Sequence, residues 1–196
     1  VFLSHLFPTP LPPFHLGLLA LVTRKVEFLN HYPEAHEFLL SYFTYAADPS
    51  DPTSPLLHVF QRNAEGKIIM IAGEYNNFII PRGFSKTTLL NGAGIYELMT
   101  DGTVFAVYIS SSADHAEMQL GNVKVELEAN ELLRAAYGDL VPTRSESEKW
   151  NADQIQLRNG AVLVARGRGS QVRGLNYRGR RPNRILMDDV EDDDSI

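Results

Sequence analysis

The stretch that decides the fold reads Pro81-Arg82-Gly83-Phe84-Ser85-Lys86-Thr87-Thr88. It follows an apolar segment that ends at Ile80 and opens a helical pattern that runs from Lys86 to Met99. In such a place backbone N–H groups and the helix N-terminus hold phosphates, the lysine reaches the β/γ oxygens, and the hydroxyl of Thr87 binds Mg²⁺. The loop therefore predicts ATP and Mg²⁺ as ligands. The general pattern has glycine where Ile80 and Ser85 stand, so the alternative interpretation is a basic helix start.

A second group of residues, at the acidic end of an apolar strand pattern, complements this loop. The pattern Ile185–Met187 runs directly into Asp188 and Asp189. In P-loop ATPases the first acid of such a pair holds Mg²⁺ and the next one acts on the attacking water. Glu191 is the rival for the second role. The alternative interpretation is a buried strand that simply runs into an acidic loop, since such a strand has the same sequence pattern. The order and separation of the two motifs favour a nucleotide site.

Strand and helix patterns alternate between these two motifs. This alternation predicts an α/β fold with a largely parallel sheet and flanking helices, and we expect a P-loop NTPase of the RecA/ASCE type. The predicted strands are Lys67–Ala72, Asn77–Ile80, Thr103–Ser110, Gln154–Arg158, Ala161–Ala165 and Ile185–Met187, and the predicted helices are Lys86–Met99 and Ser112–Tyr137. Asn159-Gly160 is a strong hairpin signal between two of the strands.

The chain is expected to divide into a helical lead-in, residues 1–55, and a partial P-loop core, residues 56–196. The lead-in is predicted to contain an extended proline-rich start at Phe7–Pro13, helices at Leu16–Val26 and Glu34–Tyr45, and a loop at Asp48–Pro55. No internal repeat is visible, and 196 residues with 44% hydrophobic side chains suffice for one domain with a sizeable core.

Composition narrows the possible functions. The 196 residues carry a net charge of −6, which argues against wholesale coating of nucleic acid. Charge is nevertheless segregated: eight arginines and no acid lie from Arg158 to Arg184, and six acids and no base lie from Asp188 to Asp194. The absence of cysteine excludes disulfides and cysteine metal sites. No apolar run reaches the roughly 18 residues of a membrane span, and the six histidines lack the spacing of metal ligands.

A basic, glycine-containing segment is the third candidate for chemistry. It covers Arg166–Gly174 and is followed by Arg178, Arg180 and Arg181. Glycine lets a backbone approach its partner closely, and arginine is the side chain suited to phosphate. The alternative is a flexible basic loop with non-specific attraction for polyanions.

Taken together, three motifs resemble the large-subunit family of bacteriophage terminases. They are Pro-Arg-Gly-Phe-Ser-Lys-Thr-Thr at 81–88, Arg-Gly-Arg-Gly-Ser-Gln-Val-Arg-Gly at 166–174, and Arg-Pro-Asn-Arg-Ile-Leu-Met-Asp-Asp at 181–189. They occur in the family's order, and the resemblance covers about residues 75–192.

The resemblance implies roles for individual residues. Arg82 matches the arginine near the start of the family's deviant phosphate loop, which implies a catalytic role. Arg173, in Val-Arg-Gly, matches an arginine finger that reaches the nucleotide of a neighbouring subunit. His15 stands where an aromatic-glutamine element contacts adenine. Asp189 replaces the family's glutamate, so either Asp189 or Glu191 is expected to orient the water.

The function implied by the resemblance is an ATPase motor that packages double-stranded DNA into a procapsid. It implies a homo-oligomeric ring, a portal and a small terminase subunit as partners, and the host cytoplasm at the portal as location. The first residue is Val1 rather than methionine, and the chain ends at Ile196, soon after the acidic strand pattern. We therefore expect a partial gene product that lacks the C-terminal nuclease domain. Two alternatives stay open: a helicase-like P-loop ATPase, and a truncated module that binds nucleotide or DNA without turnover.

Overall fold

The computed structural model describes residues 12–23, 25–42, 44–46, 53, 56–71, 85–143 and 149–190. Contacts group these residues into two compact units: an N-terminal unit within Leu6–Phe84 and a sheet unit within Ser85–Ile196. Residues 56–71 therefore group with the N-terminal helices, whereas the sequence analysis placed a boundary after residue 55. Within the described ranges, no helix combines the length and the apolar character that a membrane crossing requires.

The N-terminal unit consists of short helices and two small hairpins. Its elements are α1 (Pro13–Thr23), two 3₁₀ helices (Glu27–His31 and Pro33–Ala35), α2 (His36–Tyr42), β1 (Thr44–Ala46), β2 (Leu56–His58), β3 (Phe60–Arg62) and β4 (Ile68–Met70). β1 pairs with β2 and β3 with β4, both antiparallel. Leu29, Leu39 and Phe60 are fully buried and form part of its core.

The first predicted N-terminal helix was displaced along the chain, since α1 begins at Pro13 rather than Leu16, and the second was too long. The first ends at Thr23 rather than Val26, and the Thr23 hydroxyl donates to the carbonyl of Leu19 in the last turn. The second does not run from Glu34 to Tyr45: a 3₁₀ turn precedes α2, and Tyr45 lies in β1. Pro33 starts that turn, because its ring fixes a helical φ at the first position.

The sheet unit is an α/β layer structure. Its elements are α3 (Lys86–Thr100), β5 (Phe105–Ser110), α4 (Ala113–Ala129), α5 (Glu131–Tyr137), β6 (Gln154–Gln156), β7 (Val162–Gly167) and β8 (Arg184–Met187). The sheet order is β6-β7-β5-β8; β5 is parallel to both β7 and β8, and β6 is antiparallel to β7. The prediction of an α/β fold with a largely parallel sheet and flanking helices is confirmed.

The two faces of this sheet are covered differently. Side chains alternate along a strand, so Ala106, Leu163 and Leu186 share one face with the buried residues of α3 and α4 in the main core. The opposite face presents a smaller cluster of Phe105, Val162 and Val164. Residues of the long β7–β8 connection, Leu175 and Tyr177, pack against that cluster.

The predicted helix Ser112–Tyr137 is instead two helices, and Asn130 separates them. Asn130 has an extended conformation with ψ 100°, and its side-chain oxygen accepts the N–H groups of Leu132 and Leu133. Asparagine is a favoured N-cap because it satisfies amides that lack a partner in the first turn. The start of the predicted helix is correct, since the hydroxyl of Ser112 caps α4 by accepting the N–H of His115.

The hairpin around Asn159-Gly160 is confirmed, with a longer turn than the dipeptide alone suggests. The N–H of Gly160 donates to the carbonyl of Leu157, and the N–H of Leu157 donates to the carbonyl of Ala161, so three residues connect the strands. Gly160 takes the left-handed φ of 98° that this type of turn needs. The Asn159 amide also donates to the carbonyl of Leu98 at the end of α3.

Candidate functional site

The start of α3 has the features of a phosphate-binding helix terminus. Ser85, which precedes it, has a left-handed backbone with φ 52° and makes no side-chain hydrogen bond to the first turn. No acidic residue lies in that turn. Its amide donors and the positive end of the helix are therefore suited to an anion. The left-handed φ also explains why the general pattern has glycine at the position of Ser85.

Thr87 and Asp188 meet although 101 residues separate them in the sequence. The Thr87 hydroxyl donates to Oδ2 of Asp188 at 2.5 Å. Asp188 follows β8, and its N–H donates to the carbonyl of Ile109 at 3.0 Å, so the pairing with β5 extends to this residue. The contact thus lies at the carboxyl edge of the parallel strands, where ligands of open α/β sheets bind.

A second donor, Tyr108 of β5, reaches the same carboxylate. Its hydroxyl donates to Oδ2 of Asp188 at 3.2 Å, and its side chain is fully buried. Burial raises the pKa of the Tyr108 phenol strongly; the charge of Asp188, the hydrogen bond to it and the charge of Asp189 act in the same direction. Tyr108 therefore keeps its proton and acts as a hydrogen-bond donor at every physiological pH.

Lys86 and Asp189 form the second link between α3 and the end of β8. Lys86 Nζ lies 3.8 Å from Asp189 Oδ1, and the Asp189 side chain is 78% exposed. An ion pair so exposed contributes little to stability. Asp189 also has a left-handed backbone, with φ 44°, which is uncommon outside glycine and occurs preferentially at functional sites.

The donor set at this edge fits Mg²⁺. The hydroxyl of Thr87 and the carboxylate of Asp188 are oxygen ligands, and Mg²⁺ is bound in proteins by one or two such groups together with phosphate oxygens and water. In the ranges that the structure describes, no group of three or more histidine, aspartate and glutamate side chains is arranged to hold a metal ion. A Mg²⁺ site of the kind expected here does not need one.

Several of the arginines between Arg158 and Arg184 make internal structural contacts. Arg166 pairs with Asp153 at 3.2 Å, and Arg184 pairs with Glu97 at 3.1 Å. The Arg180 guanidinium donates to the carbonyls of Gly102 at 3.0 Å and Gly160 at 2.6 Å. These two glycines precede β5 and β7, so Arg180 lies at the edge of the sheet opposite Asp188.

Arg173 is placed differently from these arginines. It is exposed in the turn from Val172 to Leu175, next to Gly174 with its left-handed φ of 91°. Within the part of the chain that the structure describes, no hydrogen bond or ion pair fixes its guanidinium. Among the described residues, no hydrogen bond or ion pair joins Arg173 to Lys86, Thr87 or Asp188 of the same chain.

The structure describes only some of the other predicted site residues. Pro81, Arg82, Gly83 and Phe84 of the loop, the predicted strand Asn77–Ile80 and the acid Glu191 lie outside the described residues. Thr88 is half-buried in the first turn of α3. His15 belongs to the N-terminal unit, where it is buried on α1 with its ring tilted against that of Phe14 at 5.8 Å. The adenine contact stays a prediction.

No protein-family model, curated protein or solved structure matches this chain. The interpretation of the site therefore depends on its own geometry. That geometry consists of a helix start with an uncapped first turn, a hydroxyl and a carboxylate in contact, and a lysine beside a second carboxylate.

Sequence reasoning missed Tyr108. It lies within the apolar pattern of β5 and looks like any core residue of a buried strand. A usable signal was present, because a buried tyrosine hydroxyl usually has a hydrogen-bond partner. The pairing of Tyr108 with Leu186, two residues before Asp188, determines which partner it finds.

Proposed function

We propose that this chain carries the nucleotide-binding part of an ATPase motor of the terminase large-subunit type, which hydrolyses ATP to drive double-stranded DNA into a procapsid. One observation carries the proposal: the 2.5 Å hydrogen bond between Thr87, in the first turn of α3, and Asp188, after β8. This hydrogen bond joins the Lys86-Thr87 motif to the acidic end of β8. The P-loop hypothesis requires these two motifs to be adjacent at the carboxyl edge of the sheet.

The charges around this contact support the same function. Lys86 is the cation next to the uncapped amides of α3, so it is suited to the β/γ oxygens of ATP. Thr87 and Asp188 would hold Mg²⁺, which when bound neutralises charge on the phosphates. Asp189 would orient the attacking water, with Glu191 as the rival for this role. Lys86 Nζ lies 3.8 Å from Asp189 Oδ1, so the proposed phosphate-binding cation and the proposed water-orienting acid are neighbours.

Arg173 is proposed as an arginine finger that acts on a neighbouring subunit. Its exposure, its turn beside Gly174 and the lack of a contact with its own Lys86 support action in trans. In this proposal the protein forms a homo-oligomeric ring in the host cytoplasm, at the procapsid portal, with the small terminase subunit as a further partner. Arg82 contributes to the phosphate loop, and His15 contacts adenine.

Nucleotide binding is the direct test, with methylanthraniloyl-ATP and Mg²⁺ as the fluorescent probe. Lys86→Ala should weaken binding by at least about tenfold, because the phosphates lose their cation. Lys124→Ala is the matched control: it also removes a lysine from the sheet unit, but Lys124 lies over the ring of Trp150. Equal affinities of wild type and Lys86→Ala, or no binding by wild type, would refute the proposal.

Turnover then separates the proposed motor from a binding module. Asp189→Asn should retain nucleotide binding and lose phosphate release if Asp189 orients the water; loss in Glu191→Gln instead assigns that role to Glu191. Binding by wild type without any phosphate release from the assembled protein supports the binding module.

The trans role of Arg173 is tested by mixing subunits. Arg173→Ala and Lys86→Ala rings should each be inactive, whereas mixed rings should regain part of the ATPase activity because some sites combine an intact lysine with an intact neighbouring arginine. An Arg173→Ala ring that keeps full DNA-free ATPase activity would remove the finger from the proposal.

A further inference from the structure

The carboxylate of Asp188 is held by two donors that come from different elements. Thr87 donates from the first turn of α3, and Tyr108 donates from β5. Both hydrogen bonds end on Oδ2, so neither donor contacts Oδ1. Both donors therefore act on one oxygen of the carboxylate, and among the described residues no hydrogen bond is made to Oδ1.

Tyr108 is better suited than Thr87 to hold this carboxylate permanently. Thr87 is half-buried, and its hydroxyl is itself the oxygen expected to face Mg²⁺. Tyr108 is 1% exposed, and its ring is part of the main core between the sheet and the helices. A phenol in that position has little rotational freedom, so its hydroxyl remains directed at Asp188.

The register of the sheet explains how this donor comes to lie beneath the acid. Tyr108 is the direct partner of Leu186 in the parallel pair of β5 and β8, and both residues face the helices. Asp188 is two residues further along, so it has the same orientation as Leu186. The N–H of Asp188 bonds to the carbonyl of Ile109, which keeps this register to the end of the strand.

We propose that Tyr108 is a positioning residue for the metal site: its hydroxyl orients the Asp188 carboxylate for a divalent cation bound with nucleotide. This inference rests on the proposed function, because it assigns Asp188 to the cation. Partners that orient a metal ligand typically contribute about 10–100-fold to metal affinity. Tyr108→Phe removes the donor and keeps the ring, so it should weaken cation binding by about tenfold.

The experiment measures Mn²⁺ binding by electron paramagnetic resonance in the presence of β,γ-imido-ATP. Wild type should bind Mn²⁺, Asp188→Asn should lose binding, and Tyr108→Phe should need about ten times more Mn²⁺ for half-saturation. The affinity for nucleotide at saturating Mn²⁺ should stay close to that of wild type, since Tyr108 does not face the phosphates in this proposal.

Tyr177→Phe is the matched control. It removes a hydroxyl that also donates to a side chain, Oε1 of Gln156 at 2.8 Å, but its ring packs near the start of β5 on the opposite face of the sheet. Its half-saturation with Mn²⁺ should equal that of wild type. If Tyr108→Phe also matches wild type, Tyr108 is only a core residue and the inference is wrong while the proposed function stands.

A second measurement keeps the inference testable if Tyr108→Phe does not fold. Fluorotyrosine introduced at position 108 retains the hydroxyl, and its fluorine NMR signal should shift when Mg²⁺ and the ATP analogue are added together. The same label at Tyr177 should not respond. An unchanged signal at position 108 overturns the inference, and a wild type that binds no Mn²⁺ with nucleotide overturns both the inference and the proposed function.

Discussion

Replacement of Gly167 by alanine should strongly destabilise the sheet unit. Gly167 ends β7 where the strand passes the start of α4. A Cβ atom at this position would lie 2.5 Å from the backbone nitrogen of Ala113 and 2.9 Å from the carbonyl carbon of Ser112. Both neighbours are main-chain atoms at a helix start, so no side-chain rotation can relieve the contact.

The expected magnitude follows from that overlap. Favourable contacts of carbon atoms begin at about 3.5 Å, so the strand and the helix would have to separate by about 1 Å. Overpacking usually costs about 1–3 kcal/mol, and a backbone clash belongs at the upper end, about 3 kcal/mol. With a urea slope of about 2 kcal/mol/M, the unfolding midpoint should fall by about 1.5 M.

Urea unfolding monitored by circular dichroism measures this shift, and Gly121→Ala is the matched control. Gly121 lies inside α4, and a Cβ there would meet no atom within 4 Å. Because alanine is favoured over glycine in a helix, this variant should gain about 1 kcal/mol and raise the midpoint by about 0.5 M. Both substitutions restrict the unfolded chain equally, so their difference reports on the folded state. A Gly167→Ala midpoint equal to that of wild type would refute the predicted clash.

Three further predictions concern single contacts. Asn130→Ala should lower the free energy of unfolding in urea by about 1 kcal/mol because the first amides of α5 lose their cap. Asn130→Asp should keep most of the wild-type stability. Equal stability of all three proteins would contradict the capping role. Ser85→Gly should keep nucleotide binding and raise thermal stability by about 1 kcal/mol, because glycine adopts φ 52° without strain; a lower melting temperature would argue against that strain. Hydrogen bonds from the side chain and then from the backbone of Thr103 lower the pKa of Asp101 below the usual 3.8. The ionised form of Asp101 therefore stabilises the fold above pH 3.8, and this contribution is lost as the pH falls through the lowered pKa. Asp101→Asn should therefore destabilise at neutral pH and match wild type in strong acid, as measured by urea unfolding at both pH values.

Long elements with a clear period were predictable from the sequence. The helix from Lys86 and the apolar run of β5 were located within a few residues, since their patterns extend over several turns or pleats. The break at Asn130 was not predicted. Asparagine inside a helix is only weakly unfavourable, and here its two hydrogen bonds to the next turn decide the outcome. Of the three-residue strands, β4 was predicted within Lys67–Ala72, whereas β1, β2 and β3 are too short to show a period and were not predicted.

The site was predictable where it depends on topology. The carboxyl ends of parallel strands lie at one edge, so a helix start and an acid-bearing strand end were expected to meet, as Thr87 and Asp188 do. The contact of Tyr108 depends on which residue of β5 stands beside Leu186, and composition does not determine that register. The internal role of Arg180 depends on two carbonyls that come together only in the folded sheet.

Helix α3 and strand β8 run in opposite directions and are linked by contacts at three levels. Thr87 and Lys86 contact the acids after the strand, Gly94 lies against Leu186 in the middle, and Glu97 holds Arg184 at the other end. The ten helical steps from Thr87 to Glu97 span about 15 Å. Because a helix is stiff along its axis, a small axial displacement of its first turn is transmitted to the Glu97–Arg184 pair. Helix α3 and strand β8 should therefore open as one cooperative unit in amide hydrogen exchange. A displacement at the Thr87–Asp188 contact should then also change the partly exposed Glu97–Arg184 ion pair at the other end of the strand.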